Sequence, residues 1–234
     1  MDAVLLFSGQ GAQKVGMGKD LYDQYPVAKA LIEQADKALG ESLSAVMFEG
    51  PGEELTRTCN CQPALYVHGL ACLAVLKELV PSLNPVAAAG LSLGEFTAHA
   101  AAGTYSFEEG LRLVQKRGAF MEEACNATKG TMAAMIGGTD ENVIKLAQEC
   151  DVDVANFNCP GQTVVSGTEE GVAKAVAGAK AAGCKIAKKL NVAGASQCGG
   201  RLPFPSDAQR YGKAGGRTQE YFLRYAVHAC LLQL

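Results

Sequence analysis

The sequence predicts an α/β fold in which a parallel-sheet domain carries an inserted α+β subdomain. Two short apolar runs, residues 3–7 and 86–89, each enter a glycine-rich turn that is followed by a helical segment. Buried strands of a parallel sheet have this pattern. Between residues 131 and 192 the pattern changes to β-α-β-β-α-β, the ferredoxin-like split motif. After residue 195 neither pattern continues.

These changes of pattern set the domain organisation that we expect. The α/β domain covers residues 1–127, the ferredoxin-like subdomain covers 128–195, and an atypical tail covers 196–234. A chain of 234 residues is long enough for one large domain or two small ones.

Composition narrows the function classes. The net charge is −3 and the pI is about 5.7, which gives no electrostatic reason to expect a nucleic-acid partner. We expect no membrane partner, because no apolar run approaches the ~18 residues of a membrane span, and no signal peptide, because the first residues lack a basic region. Nine cysteines without zinc or disulfide spacing indicate a reducing compartment and no metal site.

The first third of the chain reads as a strand followed by helices. Residues 8–13 form a glycine-rich turn after the strand at 3–7, but no Gly-Lys-Ser/Thr follows, so a phosphate loop is excluded. A helix is expected over 19–39, a short helical or connecting piece over 44–48, and an apolar helix over 64–79 opened by Pro63.

The stretch 86–102 carries the strongest chemical signal. It reads as a strand, then Gly-Leu-Ser-Leu-Gly, then a helix, which is the context of a nucleophile elbow. Ser92 is therefore the candidate nucleophile, and the N–H of Leu93 is expected to face the oxygen of an attacked carbonyl. His99 lies about two turns along the helix and is not expected to reach Ser92. His68, in the helix over 64–79, is expected to be packed rather than catalytic.

The next helix begins with a capping box at Ser106 and Glu109 and carries Arg117, which by itself would be read as a solvated charge. The split motif follows, with its two middle strands joined by a Pro160–Gly161 turn. Its strands are expected at 131–136, 152–157, 162–166 and 185–192, and its helices at 141–150 and 171–182. A marginal helix is expected over 218–232.

Taken together, these motifs resemble the malonyl-CoA:acyl carrier protein transacylases, acyltransferases of fatty acid synthesis. The resemblance covers about residues 3–195. Its motifs are F-S-G-Q-G-A-Q at 7–13, Q-P-A at 62–64, G-L-S-L-G-E at 90–95, Gln115 with Arg117 and Met121, N-F-N-C-P-G-Q at 156–162, V-S-G at 165–167 and L-N-V-A-G-A at 190–195. The implied fold is a hydrolase-like parallel sheet with the ferredoxin-like insertion, and the C-terminal part of its large domain is missing or altered here.

The resemblance implies a role for several residues. Ser92 would take malonyl from CoA as an ester, and Gln10 with the Leu93 N–H would form the oxyanion hole. Arg117 would clamp the free malonyl carboxylate and so select malonyl over acetyl. Gln62 and Asn156 fall at positions near the substrate.

The resemblance also implies partners and a setting. Malonyl-CoA is the expected donor, and the phosphopantetheine thiol of acyl carrier protein is the expected acceptor, in a ping-pong transfer. No covalently bound cofactor is expected, and the chain is expected to be monomeric. The compartment would be the cytoplasm of a bacterium, or a plastid or mitochondrion of a eukaryote.

The sequence departs from the family pattern at the general base. Gln197 stands where the family has its catalytic histidine, and a glutamine cannot accept a proton at neutral pH. His228 lies in the tail and is a weak substitute. We hypothesise a shifted reading frame, an alternative splice or a gene-model error near codon 196, and we expect severely reduced transfer. Leu91 replaces the histidine that often precedes the serine, a variant that the family also uses.

Two other functions stay open. A serine esterase would share the elbow, although the turn at 7–13, Arg117 and the inserted subdomain argue against it. A truncated form that binds CoA or carrier protein without chemistry would fit Gln197. A polyketide synthase acyltransferase domain is a nearer relative, disfavoured by the absence of flanking domains.

Overall fold

The computed structural model of the chain describes residues 1–127, 130–190 and 232–233. They belong to two compact units, which we describe separately: unit 1 comprises residues 1–120 and 232–233, and unit 2 comprises residues 121–127 and 130–190. The predicted boundaries at 127/128 and 195/196 stay predictions. The elements in chain order are β1 (Asp2–Phe7), α1 (Lys19–Gln24), α2 (Pro26–Leu39), α3 (Leu43–Glu49), α4 (Gly52–Thr56), α5 (Thr58–Leu79), β2 (Asn84–Gly90), α6 (Leu93–Ala101), α7 (Phe107–Ala127), β3 (Gly130–Ile136), α8 (Asp140–Glu149), β4 (Asp153–Cys159), β5 (Gln162–Thr168), α9 (Glu169–Gly178), β6 (Ile186–Lys189) and β7 (Leu232–Gln233).

The sheet of unit 1 is built on a parallel pair. Strands β1 and β2 run side by side with Phe7 opposite Gly90, and β7 adds two residues antiparallel to β2. Because β1 and β2 are parallel, their carboxyl ends lie at the same edge of the sheet. The turn that follows Phe7 and the turn that follows Gly90 therefore begin beside each other.

Helix α5 is the core helix of unit 1. By length and composition alone α5 could cross a membrane, although the sequence predicts no such segment. In the structure, 61% of its most apolar 18-residue window is buried, and the core helix of a globular protein passes the same test. It begins at Thr58, six residues before the predicted start, so Pro63 lies inside the helix rather than opening it. The buried side chains around it include Tyr66, Val67, Leu93, Leu111 and Val114.

The helix expected over 19–39 is two helices, and that expectation was wrong. The chain leaves the helical conformation at Tyr25, with φ −123° and ψ 113°, and α2 restarts at Pro26. The proline ring disfavours the helical conformation of the preceding residue, and proline itself is well suited to the first position of a helix. Gly40 ends α2 in the left-handed conformation, as the sequence predicts.

Unit 2 has the predicted β-α-β-β-α-β order. Its four strands form one sheet in the order β4-β5-β3-β6, and every neighbouring pair is antiparallel. Thr139 and Thr168 are the N-caps of helices α8 and α9, and their hydroxyls accept hydrogen bonds from the backbone N–H groups of Asn142 and Gly171. The predicted strand over 185–192 is β6, which ends at Lys189, and residues 191–192 lie outside the described part. So does the predicted helix over 218–232, except Leu232, which lies in β7.

Candidate active site

Ser92 occupies a sharp turn between β2 and α6. Its φ of 56° and ψ of −107° are rare for a residue with a side chain and cost on the order of 1–3 kcal/mol. The turn is tight because a Cβ at Gly90 would overlap the backbone of Gly94, and a Cβ at Gly94 would overlap the carbonyl of Phe7. These contacts form the elbow geometry that the sequence predicts, with the strand and the helix passing each other at van der Waals contact.

The glycine-rich turn after β1 lies against the elbow. A Cβ built on Gly9 would be 2.7 Å from the carbonyl oxygen of Leu91, so the two backbones touch there. Gln10 follows directly, and its Nε2 is 3.5 Å from Oγ1 of Thr58. Leu93 is the first residue of α6, so its N–H has no acceptor within the helix. Two donors expected in an oxyanion hole thus lie on adjoining turns.

Arg117 is buried at the same place. Its side chain is 5% exposed, and its Nη2 donates a hydrogen bond to Ser92 Oγ at 2.9 Å. Its Nη1 donates to Oε1 of Gln62 at 2.6 Å. Residues from α5, α7 and the elbow therefore meet around one guanidinium, and the sequence reading of Arg117 as a solvated charge does not hold.

Close packing of α5 against α7 carries Arg117 to this position. A Cβ at Gly118 would be 2.7 Å from the carbonyl oxygen of Thr58, and a Cβ at Gly110 would overlap the Tyr66 hydroxyl. Tyr66 also donates a hydrogen bond to the Phe107 carbonyl. Because two glycines let the helix backbones approach, the side chain next to Gly118 extends across α5 towards Ser92.

The surroundings keep the buried guanidinium charged. Burial lowers the pKa of Arg117 to about 10, while the carboxylate of Glu95 acts in the opposite direction. Glu95 is 8% exposed and lies three residues after Ser92. The Phe96 ring lies 5.2 Å, centroid to Cζ, beneath the guanidinium. At neutral pH Arg117 is therefore a cation that can bind a carboxylate and cannot accept a proton.

Both histidines of the described residues are engaged elsewhere in unit 1. His99, in the last turn of α6, lies 3.3 Å from Thr104 Oγ1 and stacks on Tyr105. His68 is half-buried on α5 beside Gly18, and burial lowers its pKa. Neither is hydrogen-bonded to Ser92, so within the described part of the chain the partner of Ser92 Oγ is Arg117.

Three of the sequence-predicted residues are not tested by the described part of unit 1. Asn156 is half-buried on β4 in unit 2, so its assignment to the site stays a prediction. Gln197, at the expected position of the base, and His228 lie outside the described residues. Among residues 1–127 and 130–190, no group of three side chains could hold a metal ion.

Sequence reasoning missed two residues near the site. No element was predicted for Thr58, and no role for Phe96. The spacing gave one usable signal, because Phe96 follows Ser92 by four residues, about one helical turn. Nothing in the spacing linked either residue to α7.

Comparison with known proteins supplies the family. Residues 4–199 match the acyl transferase domain family. The malonyl CoA-acyl carrier protein transacylase of Bacillus subtilis is 46% identical over 194 residues, covering 81% of this chain and 61% of that protein. The transacylase of Escherichia coli K12 is 41% identical over 197 residues, covering 82% of this chain and 63% of that protein. This chain thus spans about three fifths of the length of these relatives.

Solved structures agree. The malonyl CoA-acyl carrier protein transacylase of Clostridium perfringens has a TM-score of 0.75 at 37% identity, covering 81% of this chain and 60% of that one. A malonyl-transacylase solved with the acyl carrier protein of a type II polyketide system has a TM-score of 0.74 at 37% identity, covering 81% of this chain and 62% of that one. The predicted resemblance and fold class are confirmed. The chain belongs to the acyl transferase family and is a relative of the malonyl CoA-acyl carrier protein transacylases.

Proposed function

We propose that this site takes a malonyl group from malonyl-CoA onto Ser92 and passes it to the thiol of acyl carrier protein. The observation that carries the proposal is a buried, charged Arg117 that donates a hydrogen bond to the Ser92 hydroxyl. The names of the relatives support both substrates, and one structural neighbour was solved with its acyl carrier protein.

The first half-reaction is an acyl transfer between oxygen and sulfur. Ser92 Oγ attacks the thioester carbonyl, the new C–O bond forms, the C–S bond breaks, and CoA leaves as a thiol with the proton that the serine loses. The negative charge that develops on the carbonyl oxygen would be stabilised by the Leu93 N–H and the Gln10 amide. In the second half-reaction the carrier-protein thiol attacks the ester and restores Ser92.

Arg117 would choose the acyl group. A guanidinium presents two parallel N–H donors that match a carboxylate, and the malonyl group ends in a carboxylate whereas the acetyl group does not. The donors that now reach Ser92 Oγ and Gln62 Oε1 face the place where the acyl chain would lie. An acetyl group in the same place would leave a buried charge without its partner.

The proton of Ser92 needs an acceptor, and here we propose impaired chemistry. Arg117, the hydrogen-bond partner of Ser92 Oγ among the described residues, is a cation. Gln197 stands at the family's histidine position and cannot take the role. Losing a positioned base costs about 10²–10⁴-fold in rate, and losing one member of a cooperating set costs up to about 10⁶-fold.

A second function follows from the same observation. A chain with the carboxylate clamp but without a base would bind malonyl-CoA or carrier protein without turnover. Gln197 favours this possibility. A serine esterase is less well supported, because its apolar substrates would give no reason to bury the Arg117 charge.

The experiment is intact-mass measurement after incubation with malonyl-CoA or acetyl-CoA, using Ser92→Ala as the control. We expect a slowly formed malonyl adduct on the natural chain, a smaller acetyl adduct, and none on Ser92→Ala. Binding of malonyl-CoA without any adduct would support the non-catalytic form instead. Hydrolysis of a nitrophenyl ester without an adduct from either thioester would support the esterase.

A further inference from the structure

The guanidinium of Arg117 has a contact that the proposed transfer leaves unexplained. Its Cζ lies over the ring of Phe96, 5.2 Å from the centroid, within the range of a cation–π interaction. Phe96 is 6% exposed and Arg117 is 5% exposed. Because water screens this pair little, the attraction between the cation and the ring is stronger than at an exposed site.

The position of the ring is set by the elbow. Phe96 lies in the first turn of α6, four residues after Ser92, and helical side chains lean towards the N-terminus of their helix, which here is the elbow. The hydroxyl of Tyr105 donates a hydrogen bond to the Phe96 carbonyl at 2.6 Å. The first turn of α6, which carries the ring, is therefore fixed by the close backbone contacts of the elbow and by the hydrogen bond from Tyr105.

Arg117 makes contacts of two kinds. Gln62 and Ser92 accept hydrogen bonds from two nitrogens of the guanidinium, and the ring of Phe96 lies within cation–π range of Cζ. The hydrogen bonds set where the nitrogens point, and packing against the ring restricts movement of the whole group. A bidentate grip on a carboxylate needs both restrictions, since two N–H bonds must be aligned together.

We propose that Phe96 is a positioning residue that holds the Arg117 guanidinium ready for an acyl group ending in a carboxylate. The expected effect of this role, a preference for malonyl, rests on the proposed function. The role itself is to restrict movement of the Arg117 guanidinium. Phe96 touches no reacting atom. It acts through Arg117, and a mere core residue at this place would affect both thioesters alike.

The chain offers a matched control in the same unit. Lys19 Nζ lies 5.7 Å from the centroid of the Phe48 ring, but this lysine is about half exposed and is paired with Asp23. Phe48→Leu removes a ring beneath a cation, as Phe96→Leu does, although the Phe48 ring is only partly buried, and it leaves Arg117 untouched. It therefore reports the general cost of losing a ring.

The experiment measures the affinities of the full chain for malonyl-CoA and acetyl-CoA by calorimetry. For Phe96→Leu we expect malonyl-CoA binding to weaken about 5–30-fold, while acetyl-CoA binding changes less than about 2-fold. Phe96→Tyr, which keeps the ring face, should restore most of the malonyl affinity, and Phe48→Leu should leave both affinities unchanged. Equal weakening for both thioesters, or none for either, would overturn the proposal.

A second readout separates this inference from the proposed function. Nitrogen NMR of the Arg117 side chain reports how fast the guanidinium rotates, and we expect faster rotation in Phe96→Leu than in the natural chain. Unchanged rotation overturns the positioning role even if malonyl is preferred. If the natural chain does not prefer malonyl but rotation is faster in Phe96→Leu, the proposed function is wrong and the positioning role stands. If Phe96→Leu does not fold, Tyr105→Phe serves, with about 2–3-fold weaker malonyl binding expected.

Discussion

The two units of the molecule differ in whether they bury charged side chains. Among the described residues, the buried charged side chains are Glu95 and Arg117, and both lie in unit 1 close to Ser92. The buried polar side chains of the described part of unit 2 are hydroxyls, those of Thr131, Thr163 and Ser166, a kind that unit 1 buries as well. Thr163 donates its hydrogen bond to Asp140 at the start of α8.

The difference places the buried charge in the unit that holds the proposed site. A buried charge is costly and is retained where other groups compensate it and where it has a task. In unit 1 the charge is accompanied by a strained serine at φ 56° and by glycines that admit no Cβ. Unit 2 has an antiparallel sheet, with register shifts between β4 and β5, over an apolar cluster in which Ala133, Met135, Val143 and Val165 are buried. It also has a positive-φ residue, Asp151, and glycines without room for a Cβ, such as Gly167, but no buried charge among its described residues.

The largest effect should come from the elbow glycine, because unit 1 depends there on backbones in direct contact. Gly90→Ala places a Cβ on the backbone of Gly94, which no side-chain movement relieves. We expect the free energy of unfolding of unit 1 to fall by more than about 4 kcal/mol, in the exceptional range for a single substitution. Gly52→Ala, whose Cβ would meet a Val15 methyl at an ordinary 3.7 Å, is the control.

Amide hydrogen exchange resolves the two units in this experiment. Protection should drop in β1, β2 and α6, and Gly52→Ala should leave it close to that of the natural chain. A Gly90→Ala chain that keeps full protection in α6 would show that the elbow backbone has room that the structure does not show.

The second effect tests whether the buried charge in unit 1 is costly to disturb. Arg117→Met removes the cation but leaves Gln62 and the buried Glu95 carboxylate, so we expect a loss of stability on the order of 3 kcal/mol. The Arg117→Met, Glu95→Gln double variant should recover part of that loss. Arg112→Met on the same helix, where the side chain is exposed, should change stability by less than about 0.5 kcal/mol. Denaturant unfolding measures the stability of the three variants. A double variant that is no more stable than Arg117→Met would contradict the coupling between Arg117 and Glu95.

The same contrast explains what the sequence could predict. Unit 2 was predicted element by element because the spacing of apolar residues within each strand and helix is a local signal, and β5 was expected at 162–166 and is found at Gln162–Thr168. The helix break at Tyr25 was missed because the apolar spacing continues through Pro26. The elbow was predicted from its glycines. The meeting of Arg117 with Ser92 was not, because it depends on how α5 and α7 cross, and only the family resemblance anticipated it.

A smaller effect should come from the helix caps, which occur in both units and are local. Thr168→Ala removes the oxygen that accepts the Gly171 N–H at 3.0 Å. In unit 1, Ser106→Ala removes the oxygen that accepts the Glu109 N–H at 3.3 Å and leaves the backbone N–H that donates to the Glu109 carboxylate. Each should cost about 1 kcal/mol of unfolding free energy. Thr168→Ser keeps the acceptor and is the control. Losses limited to the unit that carries the substitution, as seen by hydrogen exchange, would sharpen the division into two units.

The smallest effect concerns a titratable group of unit 1 that lies outside the site. Burial lowers the pKa of His68 below its ordinary value of about 6.5, and Asp20 partly opposes the shift. Between the lowered pKa and the ordinary one, the unfolded chain binds more protons than the native chain, so stability is complete above about pH 6.5 and falls as the pH drops below it. His68→Gln should flatten that part of the profile. Denaturant unfolding of both chains between pH 7.5 and about 5 measures the difference, which cancels the titration of the carboxylates common to both. Parallel profiles would mean that His68 is hydrated in the native state and that burial does not lower its pKa.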